Sequence, residues 1–172
     1  MNSLACFALL GLSPAFELDE KALESAYFHA QRLHHPDRFV GKPQPERAAA
    51  MQRSVDINEA YRTLKDPLSR AQALLAMHNI IVGTDTDTVK PSQPLLMESM
   101  HWREGVDEAQ AVETLAAHTA TLDGHYTDCL ARIAALYGAG DYAGMAQETL
   151  RLSYLRKARQ AAAQKAKRLT RM

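Results

Sequence analysis

Three features of the sequence predict an all-α protein, with a helical hairpin and flanking helices in its N-terminal part and a three-helix bundle after it. Apolar residues recur at three-and-four spacing through most of the chain, no run alternates with period two for long enough to build a sheet, and proline and glycine gather in a few short stretches that punctuate the helices. Hydrophobic residues make up 47% of the chain and aromatics 6%. The cores should therefore be thin and Ala-rich. At 172 residues the chain fits one ordinary domain or two small ones, with ~100–200 residues per domain as a guide. The polar stretch Gly83-Thr84-Asp85-Thr86-Asp87-Thr88, followed by Pro91, favours two. We place the first domain at 1–78, a linker at 79–93 and the second domain at 94–172.

Taken in order, Leu4, Phe7, Ala8 and Leu10 suggest a short first helix, ended by Gly11 in a left-handed conformation. Asp19 is placed to cap a second helix reaching His34, with Glu20 and Glu24 early in it and an inward stripe of Leu23, Ala26, Tyr27, Ala30 and Leu33 or His34. Gly41, Pro43 and Pro45 make 39–45 a loop. A third helix follows to Leu64, antiparallel to the second, with Ala48, Met51, Val55, Ala60, Tyr61 and Leu64 available for its core face. Asp66-Pro67 stops it and starts a fourth, from Leu68 to about His78, burying Leu68, Ala71, Leu74 and Leu75. The second domain reads as helices over Pro94 to about Ala109, Ala111 to about Gly138, and Asp141 to about Leu169, the last two separated by Gly138-Ala139-Gly140.

Lys+Arg 20 balance Asp+Glu 20, so bulk charge does not hold this molecule on nucleic acid. Local charge offers one alternative, because Arg151, Arg156, Lys157, Arg159, Lys165, Lys167, Arg168 and Arg171 follow one another with no acidic residue after Glu148. Few aromatics accompany them, and the acidic middle segment balances them, so we expect no nucleic-acid partner. Cys6 and Cys129 form no C-x-x-C pair and are expected to be buried thiols. The apolar start has no basic residue before Lys21, and nothing later approaches the ~18 apolar residues of a membrane span. The expectation is a cytoplasmic protein with no membrane partner. There is no nucleophile with base and orienter, no phosphate-cradling glycine loop and no metal cluster. We expect neither catalysis nor a cofactor.

The stretch that carries chemistry is His35-Pro36-Asp37, at the corner between the second and third helices. Proline forces His35 out of helical geometry and stiffens the turn. A carboxylate held there is a poor core element and a good partner for a guanidinium, which meets it through two parallel hydrogen bonds. An ordinary proline turn with Asp37 as helix cap is the bland alternative. A metal site is disfavoured, since neighbouring side chains rarely converge on one ion. His118 and His125 read as structural or solvated, and Trp102 as core.

The order and spacing of Phe7-Ala8-Leu9-Leu10-Gly11-Leu12, His35-Pro36-Asp37 and Ile57-Asn58-Glu59-Ala60-Tyr61-Arg62-Thr63-Leu64 with Asp66-Pro67 resemble a J-domain, the chaperone-activating module. With Pro67-Leu68-Ser69-Arg70-Ala71, Leu95-Leu96-Met97-Glu98 and a C-terminal bundle, nearly the whole chain resembles the HscB family, J-domain co-chaperones of iron-sulfur cluster assembly. There is no Gly/Phe-rich linker and no Cys-rich zinc module of the DnaJ kind.

The resemblance implies that His35, Pro36 and Asp37 engage an HscA/DnaK-class ATPase chaperone and stimulate its hydrolysis, with Lys21, His29, Arg32 and Arg38 adding a positive face. It implies that an IscU-type scaffold protein binds a second patch of Leu96, Met97, Met100, His101, Glu104 and Glu108, with Tyr154 from the last helix. His101 stands where the family often has an acidic residue, which puts a titratable ring into that patch. Without the resemblance, the charges would read as a solvated face and the Leu-Met stripe as bundle core. Two alternatives remain: a J-domain co-chaperone for another client, and a helical nucleic-acid-binding protein.

Overall fold

The computed structural model describes residues 3–83 and 88–170. Most of the polar stretch at 84–87, Arg171 and the side chain of Leu4 lie outside the described residues. Among the described residues the regular elements are helices: α1 (Ser3–Leu9), α2 (Glu20–His34), a 3-10 turn (Pro36–Phe39), α3 (Gln44–Lys65), α4 (Pro67–Ala76), α5 (Gln93–Glu108), α6 (Val112–Ala139) and α7 (Tyr142–Leu169). The chain divides into two compact units, Met1–Asn79 and Ile80–Met172.

In the first unit α3 is the central rod, touching α1, α2, α4 and the 3-10 turn. Local chemistry sets the helix ends. Asp19 accepts the Ala22 N–H at 2.8 Å and starts α2, while Asp66 accepts the Ser69 N–H at 3.0 Å and its hydroxyl at 2.6 Å to start α4 behind Pro67. Gly11, at φ +65°, turns the chain after α1. Pro45 lies inside the first turn of α3, where a missing N–H costs nothing, so the loop expected at 39–45 shrinks to 40–43.

The face of α3 differs from the expected one. Ala60 and Leu64 are buried as expected and Tyr61 is half-buried, but Ala50 and Ile57 join them, whereas Ala48, Met51 and Val55 are exposed. The reason is a polar seam between α2 and α3. Tyr27 Oη and Gln31 Nε2 both donate to Asn58 Oδ1 at 2.8 Å, and Ser54 Oγ donates to Gln31 Oε1 at 3.0 Å. Polar residues thus occupy half-buried positions between the two helices that counting apolar residues would assign elsewhere. On α2, His34 is half-buried and Leu33 is exposed.

Arg70 ties the unit together from inside. Its guanidinium donates to the carbonyls of Leu64 (2.7 Å), Phe16 (2.5 Å) and Lys65 (3.4 Å), and it stacks over the Phe16 ring. It thereby satisfies carbonyls freed at the end of α3 and fastens the connection before α2. Burial pushes its pKa down from the ordinary arginine value.

In the second unit α6 and α7 form a long hairpin, with α5 packed against both. Gly140, at φ +72°, turns the chain, and Asp141 then accepts the Gly144 N–H at 2.9 Å to cap α7. Leu122, Ile133, Met145, Leu152 and Leu155 are fully buried in the core. Trp102 and Val106 join them from α5. Helix α5 meets α6 closely at Gly105, where a Cβ would fall 2.4 Å from the His118 ring. That ring lies 2.9 Å from the Trp102 carbonyl oxygen, which makes His118 a packing element. Gln147 accepts the Ser92 N–H and donates to the Lys90 carbonyl, so the strand of chain before α5 is fastened to α7.

Candidate functional site

His35, at φ −62° and ψ 130°, is extended and ends α2. Its Nδ1 accepts the Asp37 N–H at 3.3 Å, so His35, and not Asp37, caps the 3-10 turn. The same Nδ1 lies 3.5 Å from Asp37 Oδ2. A nitrogen that accepts the N–H has its lone pair there and no proton to give the carboxylate, so the second approach is not a hydrogen bond. The Asp37 side chain is 85% exposed and accepts no hydrogen bond from another side chain among the described residues. The corner therefore fixes the backbone that carries the carboxylate and leaves the carboxylate open to solvent.

Arg38 Nη1 donates to the Arg32 carbonyl at 3.1 Å, which satisfies an end of α2 and fixes the corner to it. Lys21, His29 and Arg32 are exposed on α2. The structure thus joins Arg32 and Arg38 to the corner, while Lys21 lies eleven positions before Arg32, about 16 Å along the helix at 1.5 Å per residue. One residue of this face escaped the sequence reading. Phe28 shares the face of Lys21 and Arg32 and is 61% exposed. The signal was present as an aromatic side chain in an otherwise polar row.

On α5 the residues Leu96, Met97, Met100, His101, Glu104 and Glu108 are all exposed, and helical spacing puts them on one face. Met97 is 66% and Met100 62% exposed. The opposite face supplies Leu95, Trp102 and Val106 to the core, so the Leu-Met stripe is a surface feature. Tyr154, half-buried on α7, meets Met100 across a groove of about 490 Å³ between α5 and α7. Arg103, Asp107 and Lys157 also line it, and Glu104 and Glu108 do not.

Much of the positive charge of α7 is used inside the unit. Arg151 pairs with Glu98 and with Glu148 (3.4 Å), Arg159 with Asp123 (2.6 Å), and Lys165 donates to the carbonyls of Val106 (2.8 Å) and Asp107 (2.6 Å) at the end of α5. The ion pairs offset the charge of Arg151 and Arg159, and Lys165 keeps its charge but is held at carbonyls, so fewer of these cations reach outward to track phosphates. Among the described residues no group of three or more His, Cys, Asp or Glu could hold a metal ion, and no helix is long and apolar enough to cross a membrane. Burial pushes the Cys129 thiol up to about 12, and its S–H donates to the Glu148 carbonyl. Such a thiol is inert at neutral pH.

A helical hairpin that presents a histidine, proline and aspartate at its turn, followed by a separate helical unit, defines a J-domain co-chaperone. Residues 5–73 match the family model described as DnaJ domain, and residues 92–163 that described as HSCB C-terminal oligomerisation domain. The chain belongs to the HscB co-chaperone family. It is 41% identical over 155 residues to the co-chaperone protein HscB homolog of Azoarcus sp. (strain BH72), covering 88% of this chain and 87% of that protein. Its fold superposes on chaperone HscB from Vibrio cholerae with a TM-score of 0.83 at 29% identity, over 98% of this chain and 99% of that one. For human co-chaperone protein HscB the TM-score is 0.84 at 25% identity, over 93% and 81% of the two chains.

Proposed function

We propose that this protein is a cytoplasmic adaptor with two docking surfaces, one for an HscA/DnaK-class ATPase chaperone and one for an IscU-type cluster scaffold protein. His35, Pro36 and Asp37 present the chaperone with a carboxylate anchor, and Lys21, His29, Arg32 and Arg38 favour approach to an acidic surface. Leu96, Met97, Met100, His101, Glu104, Glu108 and Tyr154 carry the scaffold. Joining the two couples delivery of the scaffold to hydrolysis of ATP by the chaperone, with no catalytic group on this chain.

The observation that carries this reading is the Asp37 side chain, 85% exposed at a corner whose own cap is His35. A carboxylate that caps nothing and is held by an extended residue and a proline is arranged for an outside guanidinium. The test is chaperone ATPase activity with the wild-type protein and with Asp37→Asn. Asp37→Asn should lose stimulation while keeping its helical circular dichroism and its affinity for the scaffold. Stimulation at the wild-type level would overturn the assignment.

A further inference from the structure

Beside the apolar stripe, the groove between α5 and α7 has a polarity that the stripe alone lacks. Its walls are formed by Met100, Tyr154, Ala158 and Ala161, with Arg103, Asp107 and Lys157 at its edge. Arg103 Nε lies 3.6 Å from Asp107 Oδ2, so those two charges offset each other. Lys157 has no carboxylate partner among the described residues, and its Nζ sits 5.6 Å from the centre of the Tyr154 ring. The ring holds the exposed ammonium near a half-buried aromatic face. Across the stripe, Glu104 and Glu108 point outward and stand apart from the groove.

The docking face thus runs from a cation at the groove, through apolar Tyr154, Met100 and Leu96, to two carboxylates on the far side of α5. We propose that the groove receives a side-chain carboxylate of the scaffold protein, which meets Lys157 while the scaffold's apolar anchor lies on Met100 and Tyr154. This rests on the scaffold reading given above and adds an orientation to it. An apolar stripe by itself accepts a partner in either direction, whereas opposite charges at its two edges make the reversed pose place like charges together. Lys157 is exposed at the groove edge, so an ion pair there acts mainly on the direction of approach and is screened by salt.

The test is calorimetric titration of the purified scaffold protein into wild type, Lys157→Met and Lys157→Glu at low and at high salt. Lys157→Met keeps most of the stem over Tyr154 and removes the charge. It should bind several-fold more weakly at low salt and converge on wild type at high salt. Lys157→Glu should bind about tenfold or more weakly, with unchanged helicity, and an acidic-to-lysine substitution on the scaffold should restore part of the loss. Equal low-salt affinity of Lys157→Glu and wild type would overturn the groove proposal and leave the scaffold reading standing. Failure of the wild type to bind the scaffold would overturn both.

Discussion

The first unit presents a carboxylate at a bend, beside a row of exposed cations, and the second exposes an apolar stripe along a regular helix, and what lies beneath each differs to match. Under the corner the frame is polar. His35 caps the turn, Arg38 holds the Arg32 carbonyl, and the α2–α3 seam runs through Tyr27, Gln31, Ser54 and Asn58, while at the other end of the hairpin Arg70 binds three carbonyls from inside. Under the stripe the frame is volume: Trp102, Val106 and the α6–α7 core, with His118 pressed against Gly105. A charge is useful only at a fixed angle, and hydrogen bonds fix angles. An apolar stripe needs only a stiff rod.

The comparison is broken most severely by removing the internal polar tie of the first unit. Arg70→Met would strand the Leu64 and Phe16 carbonyls in the interior, each left unsatisfied at about 1–3 kcal/mol, for an expected loss of about 3–5 kcal/mol in urea unfolding. A loss below about 1 kcal/mol would show that water replaces the guanidinium. In the second unit the matching weakness is steric. Gly105→Ala would set a Cβ against the His118 ring, and the repacking should cost about 1–3 kcal/mol.

The stripe itself sharpens the contrast. Leu96→Ala with Met97→Ala should leave thermal stability within about 0.5 kcal/mol, since both side chains are exposed. It should weaken scaffold binding about tenfold, as loss of central apolar anchors does. Unfolding in its place would mean that the stripe supports the bundle.

The smallest effect reads the two units through their single buried thiols, Cys6 and Cys129. Burial raises both pKa values, that of Cys129 from 9.0 to about 12. The folded state therefore favours the neutral thiol, and the stability tied to it is full below about pH 9 and lost as pH rises towards 12. Thiol labelling at pH 8 should be slow at both sites, with Cys6 the faster because Cys129 is fully buried, donates its S–H to the Glu148 carbonyl and has its thiol pushed up to about 12. Faster labelling of Cys129 would reverse the ranking.

The helices were legible in the sequence because their stops are chemical: Asp19 and Asp66 as caps, Gly11 and Gly140 as left-handed ends, and Pro36 and Pro67 as breaks. The inward face of α3 was legible only at its C-terminal end, in Ala60 and Leu64. Ser54 and Asn58 are half-buried partners of Gln31, and a rule that seeks apolar stripes passes over them in favour of Met51 and Val55. Arg70 was visible only as part of a motif, because a buried arginine announces itself through carbonyls whose positions no spacing reveals. The corner could be found from Pro36 alone, yet its use of His35 as the cap depends on a ring orientation. On α5, exposure of Met97 and Met100 was undecidable from periodicity, since a helix has two faces and a stripe fits either.

The central claim is that one molecule carries two separable surfaces. It is tested most directly by measuring chaperone ATPase with limiting wild-type protein and scaffold, then titrating in Asp37→Asn. The account predicts that this variant captures scaffold without activating the chaperone, so the scaffold-dependent part of the rate falls. Adding Leu96→Ala and Met97→Ala to the same variant should abolish that competition. Equal suppression by both variants, or by neither, would contradict the account.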